Sequence, residues 1–116
     1  MTRLPAGAVA DAAADASDWE PVPADQCAGG TPATRYVELD DGPGRAIGVW
    51  EMSPGAMRDV EADEVFVVLA GAATIAFEDP PLPPVEVVSG SIVRLTAGMK
   101  TVWTVRETLR KVYITP

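Results

Sequence analysis

Short apolar segments separated by turn residues recur along the chain from residue 34 to its end. Each segment is rich in Val, Ile, Thr or aromatic residues, and the turn-forming stretches between them include DDGPG, EDPPLPP and TAG. The segments cover residues 34–39, 45–52, 64–69, 73–77, 85–88, 91–95, 100–105 and 109–114. Their regular spacing, with no helical pattern between them, predicts an all-β fold, either a sandwich or a barrel of antiparallel strands.

A proline-rich stretch, EDPPLPP at residues 78–84, interrupts this pattern. Because proline lacks the backbone N–H that a strand donates to its neighbour, the stretch is predicted to be a loop or an edge, and not a central strand. It divides the predicted strands into two halves, between which there is no sequence repeat.

The strand predicted over residues 64–69 has two apolar faces. Because successive side chains of a strand point to opposite sides, Phe66 and Val68 lie on the side of Glu64, and the intervening residues are apolar as well. Such a strand is expected when its outer face is also covered, by a second sheet, by the N-terminal region or by another subunit.

The composition changes near residue 34. Before it, the chain is rich in Ala, Pro, Asp and Gly and shows weak periodicity. We predict a flexible N-terminal tail over residues 1–17 and a single domain over residues 18–116, since a chain of 116 residues is long enough for one hydrophobic core but short of a second. Within that domain, residues 18–33 are predicted to form an extended arm, fixed by Trp19 and by the prolines that follow it.

The charge of the chain excludes some partners. Nine Lys and Arg against 17 Asp and Glu give a net charge of −8, and the basic residues form no stripe that could follow the phosphates of a nucleic acid. No apolar run approaches the roughly 20 residues of a transmembrane helix, and Asp11 and Asp15 interrupt the Ala-rich start before a secretory core could form. We therefore expect a cytoplasmic protein with no nucleic-acid or membrane partner. Cys27, the single cysteine, is expected to be inert.

Four segments of the sequence together carry a family resemblance. They read VWEMSPG, DEVFVVLAG, VVSGSIVRLTAGMKTVWTV and RETLRKVYI. In this combination the chain resembles a small single-domain cupin, of the group related to the cupin domain of ureidoglycine aminohydrolase and to the ethanolamine-utilisation cupins. The resemblance runs from about Asp18 to the C-terminus. It implies a cupin-type double-stranded β-helix, which is a jelly-roll barrel of antiparallel strands, and it implies the fold more firmly than an activity.

Both cupin motifs can be followed in this sequence, but their histidines are missing. Glu64 and Gly71 occupy the places of the glutamate and the last glycine of the first motif, and Thr101 stands in the place of the histidine of the second. The histidine positions of the first motif fall among residues 57–60, and the chain contains no histidine. Cupin metal sites use imidazole nitrogens plus the glutamate, so one remaining carboxylate does not hold a transition metal. We expect no bound metal and no cofactor.

The resemblance also indicates which side chains surround the mouth of the barrel. If Glu64 and Thr101 point inward, strand alternation brings Phe66 and Trp103 to the same interior. The predicted ligand-binding residues are Glu64, Phe66, Thr101, Trp103, Arg58 and Lys111. Glu64 is the candidate for a catalytic acid or base, and Arg58 or Lys111 would hold an anionic substrate.

Structural interpretations compete with these roles. Glu64 could be a structural carboxylate paired with a basic residue, namely Arg58, Arg94 or Lys111. For Lys111, a surface position is favoured over one in the cavity, where a desolvated lysine could act as a base.

The aromatic and acidic candidates have structural alternatives as well. Phe66 and Trp103 are of the type that fills the core of a small β domain, and core packing is favoured for both. Residues 59–64 are expected to form a solvated acidic turn, in preference to a site for a hard cation. Trp50 and Glu51 are neighbours on one strand, so only one of them can face inward, and the sequence leaves open which.

Two classes of function remain. In the one we favour, the chain is a metal-free cupin that binds a small polar metabolite in the barrel mouth. In the other, it is an enzyme of the aminohydrolase, lyase or isomerase kind with Glu64 as acid or base, and a second titratable group within reach of Glu64 is the feature that separates the two. Because the outer face of the strand at 64–69 needs cover, we also expect a homodimer in which the arm crosses the partner's sheet.

Overall fold

The computed structural model describes residues 2–14 and 17–116, and in these residues the chain forms strands and no helix. The strands are β1 (Glu20–Pro21), β2 (Cys27–Gly29), β3 (Ala33–Gly42), β4 (Arg45–Met52), β5 (Gly55–Val60), β6 (Glu64–Asp79), β7 (Leu82–Val88), β8 (Ile92–Leu95) and β9 (Lys100–Thr115). The predicted all-β class is confirmed. Over the same residues, there is accordingly no helix that could cross a membrane.

Two long strands, β6 and β9, organise the sheet. They have 16 residues each and pair with one another along most of their length. The first half of β9 also pairs with β5 and its second half with β4, while β6 pairs with β8 and with β7. Beyond these, β3 adjoins β4, β1 adjoins β3 and β2 adjoins β5, and the pairs described are antiparallel. The result is a curled antiparallel sheet, as expected for a jelly-roll barrel.

The structure joins two pairs of predicted strands into single long ones. Residues 64–69 and 73–77 both lie in β6, and residues 100–105 and 109–114 both lie in β9. The turn residues between them do not end the strands, because the β6–β9 register shifts around Gly71 and then continues. Sequence breaks that look like turns are therefore β-bulges in this fold.

The short strands show where the apolar pattern is too weak to predict structure. β1 and β2 have two and three residues, and β5 contains the polar pair Arg58 and Asp59, so none of the three has the expected pattern. The proline-rich stretch behaves as predicted for an edge. β7 includes Pro83 and Pro84, and among the described residues it pairs with β6 alone.

The interior of the barrel is filled by side chains that strand alternation places on the face of Glu64. Phe66 and Val68 of β6 are buried, as are Trp103 and Val105 of β9, which agrees with the predicted faces of both strands. Other core residues are Met52, Met57, Ala73, Ile75, Val87, Leu95 and Leu109. Alternation thus predicts the inner side of β6 before Gly71, whereas beyond the register shift the buried residues Ala73 and Ile75 have the opposite parity.

The N-terminal region lies against the chain's own sheet. Both strands of the arm, residues 18–33, pair within this chain. In the tail, Arg3 forms an ion pair with Asp40 at 3.0 Å, and Arg110 donates hydrogen bonds to the carbonyl oxygens of residues 12 and 14. The flexibility of residues 1–17 stays a prediction, and residues 1, 15 and 16 lie outside the described part. The crossing of the arm to a partner's sheet also stays a prediction.

We expect Gly71→Ala to destabilise the fold strongly. A Cβ at this position would overlap the carbonyl oxygen of Thr108, and its φ of 97° is one that residues with a side chain rarely adopt. Gly90 is the matched control, since it has a similar φ of 92° but open space around an added Cβ. Chemical denaturation should show a loss of about 1–2 kcal/mol for Gly90→Ala and at least about 2 kcal/mol more for Gly71→Ala. Equal losses would contradict the close approach of β6 to β9.

Candidate functional site

A cavity of about 210 Å³ opens at the mouth of the barrel, and it is called the mouth cavity below. Its lining comes from β3, β4, β5, β6 and β9 and from the loop between β5 and β6. The lining residues are Tyr36, Trp50, Asp59, Glu61, Glu64, Trp103, Lys111, Tyr113 and Thr115. Carboxylates, an ammonium group and aromatic rings therefore meet in one small space.

The ammonium group of Lys111 is enclosed by one carboxylate and three rings. Its Nζ lies 2.6 Å from Oε2 of Glu64. The same nitrogen lies 4.4 Å from the ring centre of Phe66, 4.7 Å from that of Trp103 and 4.8 Å from that of Trp50. These are distances at which a cation is attracted to the face of an aromatic ring. Glu64, Trp50, Phe66 and Trp103 are referred to as the ammonium cage.

The position of Lys111 corrects the prediction of a surface lysine. The residue is only 5% exposed, because it shares the inward face of β9 with Leu109. A buried charge is costly unless it is paired, and the carboxylate of Glu64 provides the pairing. Of the three basic partners considered for Glu64, the structure shows Lys111, and not Arg58 or Arg94. Lys111 is also a second titratable group within reach of Glu64.

Glu61 is held in the cavity by uncharged donors. Its Oε2 accepts a hydrogen bond from the hydroxyl of Thr101 at 2.6 Å and another from the indole N–H of Trp103 at 3.0 Å. Backbone hydrogen bonds to Gly98 and Met99 fix the loop that carries it. Thr101, which stands where the cupin motif has a histidine, thus binds a carboxylate of its own chain. Glu61 was predicted only as part of an acidic turn and not as a site residue, because strand alternation does not show where a loop side chain points.

Asp59 is a further carboxylate of the mouth cavity. It lies on β5, directly opposite Thr101 in the β5–β9 register. Burial raises the pKa of Asp59, and the negative charge of Glu61 adds to the increase, whereas the backbone N–H of Val60 and the charge of Lys111 oppose it; the net result is a pKa of about 6. This carboxyl group therefore gains and loses its proton in the mildly acidic to neutral range. It was predicted only as part of an acidic turn, because β5 was not recognised as a strand.

Five of the six predicted ligand-binding residues lie in or directly behind the cavity. Glu64, Trp103 and Lys111 line the open space. Phe66 and Thr101 are fully buried behind them, where the ring of Phe66 faces the ammonium group and the hydroxyl of Thr101 holds the acidic loop. The predicted interior faces of β6 and β9 therefore account for most of this site.

Arg58 is not brought to the mouth cavity. It alternates with Asp59 on β5, so its side chain points to the opposite face, where it is exposed. Its guanidinium group donates a hydrogen bond to the carbonyl oxygen of Cys27 at 3.2 Å. The family resemblance indicated that the segment containing Arg58 lies at the cavity. Which of its side chains point inward becomes known only with the β5–β9 pairing.

The structure decides between Trp50 and Glu51. Trp50 faces inward, lines the mouth cavity and contacts Trp103 with ring centres 5.6 Å apart. Glu51 faces outward but is also buried, because Arg35 binds it at 3.0 Å and Arg110 binds its other carboxylate oxygen. Both neighbours are thus covered, each on its own side of the sheet.

The rim of the cavity is formed by Tyr36, Tyr113 and Thr115, which were not predicted as site residues. Burial raises the pKa of Tyr113 above its ordinary value, and so do nearby carboxylates, so its hydroxyl stays a neutral hydrogen-bonding group. Gly48 pairs with Tyr113 in register, and a Cβ there would overlap the phenol. Once the strand pairing is known, a glycine opposite a tyrosine indicates that the tyrosine ring lies over the glycine backbone.

The side chains of the mouth cavity do not fit a transition-metal ion. Such an ion requires several imidazole, thiolate or carboxylate ligands aimed at one point. Oε2 of Glu61 is taken by Thr101 and Trp103, and Oε2 of Glu64 is taken by Lys111. Across residues 2–14 and 17–116, no group of three or more His, Cys, Asp or Glu side chains is arranged to hold a metal. The metal content of the purified protein stays a prediction.

The family model of the EutQ-like cupin domain matches residues 40–113 of the sequence. Among solved structures, EutQ of Clostridium difficile is similar, with 22% identity, a TM-score of 0.64 and coverage of 72% of this chain and 68% of that protein. A DUF861-family protein of unknown function from Pseudomonas syringae pv. tomato str. DC3000 has 22% identity and a TM-score of 0.74, over 90% of this chain and 45% of its own. No curated protein matches the chain.

A further structural neighbour comes from the crystal structures of the DMSP lyases RdDddP and RnDddQII. It has 13% identity and a TM-score of 0.60, with coverage of 70% of this chain and 46% of that one. At such identities, the likeness to solved structures shows the fold alone. Together with the family match, it confirms the cupin-type jelly-roll barrel and the predicted relation to ethanolamine-utilisation cupins.

We expect Asp59→Asn to change how stability depends on pH. The folded-state pKa of about 6 is above the ordinary value of 3.8, so between these values the folded chain binds more protons at this position than the unfolded chain. Stability therefore falls as the pH rises through this window. At about pH 8 the variant should exceed the wild type by about 1 kcal/mol, after allowance for solvent screening at a partly exposed site, and near pH 4 the advantage should be largely gone.

Urea denaturation at both pH values measures this effect. Asp18→Asn, the same change at an exposed position of the arm, is the control and should show no such dependence. A difference between Asp59→Asn and the wild type that is the same at both pH values would contradict the raised pKa of Asp59.

Proposed function

The chain belongs to the family of EutQ-like cupin domains, and on this basis we propose that it binds a small polar metabolite in the mouth cavity without a bound metal ion. One observation carries the proposal: Asp59, Glu61 and Glu64 face a common open space together with the ammonium group of Lys111. Polar groups of both charges at the wall of a cavity offer a ligand several directional hydrogen bonds in a place of low dielectric constant.

The size of the mouth cavity limits the ligand. A volume of about 210 Å³ equals that of about seven water molecules in the liquid. The ligand is therefore a small molecule, or the end group of a larger one whose remainder lies outside the barrel. The aromatic side chains at the walls favour a ligand that has carbon atoms beside its polar groups.

The charges of the cavity favour ligands that donate hydrogen bonds. Glu64 has an ammonium partner at 2.6 Å, Glu61 is bound by uncharged donors, and Asp59 takes up a proton near pH 6. A ligand with N–H or O–H groups, or with a positive charge, would compensate the excess of negative charge. The anionic substrate considered from the sequence is disfavoured, because these carboxylates would repel it.

A catalytic function is the second candidate, and specific observations support it. Lys111 is the second titratable group beside Glu64 that an acid–base enzyme requires. Asp59, with a pKa of about 6, could both accept and donate protons near neutral pH. An enzyme of the aminohydrolase, lyase or isomerase kind would use Glu64 or Asp59 as its acid or base.

A thermal-shift screen of small polar metabolites tests the proposal. We expect at least one compound to raise the melting temperature, because a ligand at a hundred times its dissociation constant adds about 2.7 kcal/mol to the free energy of unfolding. The same compound should stabilise Glu61→Gln much less. That amide still accepts the hydrogen bonds of Thr101 and Trp103, but it removes the charge that faces the ligand. Glu107→Gln, at an exposed position of β9, is the matched control and should respond like the wild type.

Two outcomes would contradict binding in the mouth cavity. One is a broad screen without any stabilising compound, and the other is stabilisation that Glu61→Gln retains in full. Incubation of a stabilising compound with the protein, followed by mass spectrometry of the small molecules, separates the two candidate functions. Turnover that Asp59→Asn abolishes would establish an enzyme, whereas an unchanged compound would favour a binding protein.

We also propose that the chain forms a homodimer in the cytoplasm. The support is the outer face of the barrel, where Val65, Ile92 and Ile114 are 36%, 70% and 42% exposed. These residues lie on the neighbouring strands β6, β8 and β9, and Val65 pairs directly with Ile114. Monomers rarely leave such apolar surface open, and a twofold dimer would cover it with the same surface of a second copy.

Light scattering at micromolar concentration should therefore give the mass of a dimer. Ile92→Lys should shift the chain to monomer, since it places a charge in the apolar surface. Val60→Lys, at an exposed position of β5, is the control and should leave the dimer intact. Removal of residues 1–30 tests the predicted role of the arm and should weaken the dimer, whereas removal of residues 1–16 should not. A monomeric mass for the full chain would refute the dimer.

A further inference from the structure

The wall of the mouth cavity already binds an alkylammonium group. The side chain of Lys111 ends in a methylene and an ammonium, and this end is held by the ammonium cage at the distances given above. The chain has two lysines, and the other, Lys100, is exposed. The cage therefore surrounds one lysine specifically and is not a general environment of lysine side chains in this protein.

We propose that Glu64, Trp50, Phe66 and Trp103 form an ammonium-binding site whose natural occupant is the side chain of Lys111, and that this site binds a free primary alkylammonium ion when that side chain is removed. The site is the wall of the mouth cavity and not its open space. Its occupancy by ammonium therefore does not depend on the metabolite proposed above, and either proposal can fail without the other.

The chemistry of the cage selects an organic cation over a metal ion. Transition metals, Ca²⁺ and Mg²⁺ need several nitrogen, sulfur or oxygen ligands, and the cage supplies the carboxylate of Glu64 alone. The remaining walls are faces of aromatic rings, which attract a cation of low charge density without coordinating it. An alkylammonium ion uses both kinds of wall, since its N–H groups bind the carboxylate and its carbon atoms pack against the rings.

The ammonium group of Lys111 is tethered at the wall of this cavity. Because Lys111 is part of the chain, its ammonium group is present at the site at high effective concentration, whatever cations surround the protein. An ammonium group has three N–H donors, and the carboxylate of Glu64 takes one of them.

Replacement of Lys111 by alanine tests the proposal directly. The change removes the atoms from Cγ to Nζ, which correspond to propylammonium. We expect n-propylammonium chloride to raise the melting temperature of Lys111→Ala by several degrees in a saturable manner, and to leave the wild type nearly unchanged. Sodium chloride at the same concentration controls for ionic strength. 1-Propanol, which has the same length and no charge, should have no such effect.

Further variants locate the stabilisation. Lys111→Met fills the cage with an uncharged chain of similar length and should not respond to propylammonium. Lys111→Ala combined with Glu64→Gln has an empty cage without its carboxylate, and its response should be lost or strongly reduced. Lys100→Ala removes the exposed lysine and should behave like the wild type.

The test stays decisive if Lys111→Ala is unfolded in buffer. Circular dichroism then reports whether propylammonium restores the β structure while 1-propanol does not, and restoration supports the proposal. A Lys111→Ala chain that propylammonium neither stabilises nor refolds overturns it. Equal stabilisation of Lys111→Ala and of Lys111→Met also overturns it, because propylammonium would then act outside the cage.

Discussion

A positive charge inside an apolar barrel has to be compensated, and the interior of this protein is arranged around that requirement. The ammonium group of Lys111 has the carboxylate of Glu64 on one side and three aromatic faces around it. The two residues are 47 positions apart in sequence, and the long antiparallel pairing of β6 with β9 brings them together. Removing one partner of a buried pair typically costs about 3–5 kcal/mol. A ligand that reached Glu64 would therefore contact a pair that also stabilises the fold.

Sequence alone predicts those parts of the site that depend on strand alternation. Phe66 and Trp103 lie inside because their strands are long and strongly apolar, so that one residue on a known face determines the others. Lys111 lies on a face that alternation also defines, but its charge favoured the surface, and its partner becomes visible only through the β6–β9 register. Glu61 and Asp59 depend on a loop and on a strand with little apolar pattern. In physical terms, local periodicity predicts orientation within a strand, whereas contacts between distant strands and the direction of loop side chains require the packed structure.

The outer face of the barrel also buries carboxylates, but there each one is matched by two guanidinium groups. Asp40 is bound by Arg45 at 2.6 Å and by Arg3 at 3.0 Å. Glu51 is likewise bound by two arginines, one on β3 and one on β9. Burial raises the pKa of Asp40, but the hydrogen bonds from Arg45 and from the backbone N–H of Leu4, together with the arginine charges, outweigh it and leave the pKa lowered. Because arginine does not lose its proton and the pKa of Asp40 is lowered, this outer carboxylate stays charged at neutral pH.

The charges of the inner carboxylates are less fully compensated than those of the outer ones. This difference distinguishes the mouth cavity from the outer face of the barrel. One ammonium group serves Glu64, uncharged donors serve Glu61, and Asp59 has a pKa of about 6. A carboxyl group with a pKa this close to neutral pH is only weakly stabilised in its charged form by its surroundings. A nearby hydrogen-bond donor or cation therefore shifts it readily to the charged form. The outer ion pairs stabilise the barrel, while the protonation of Asp59 can change when a charged or hydrogen-bonding group enters the cavity. Excess negative charge beside an open space is the property that a hydrogen-bond-donating ligand would satisfy, and in the mouth cavity three carboxylates face such a space.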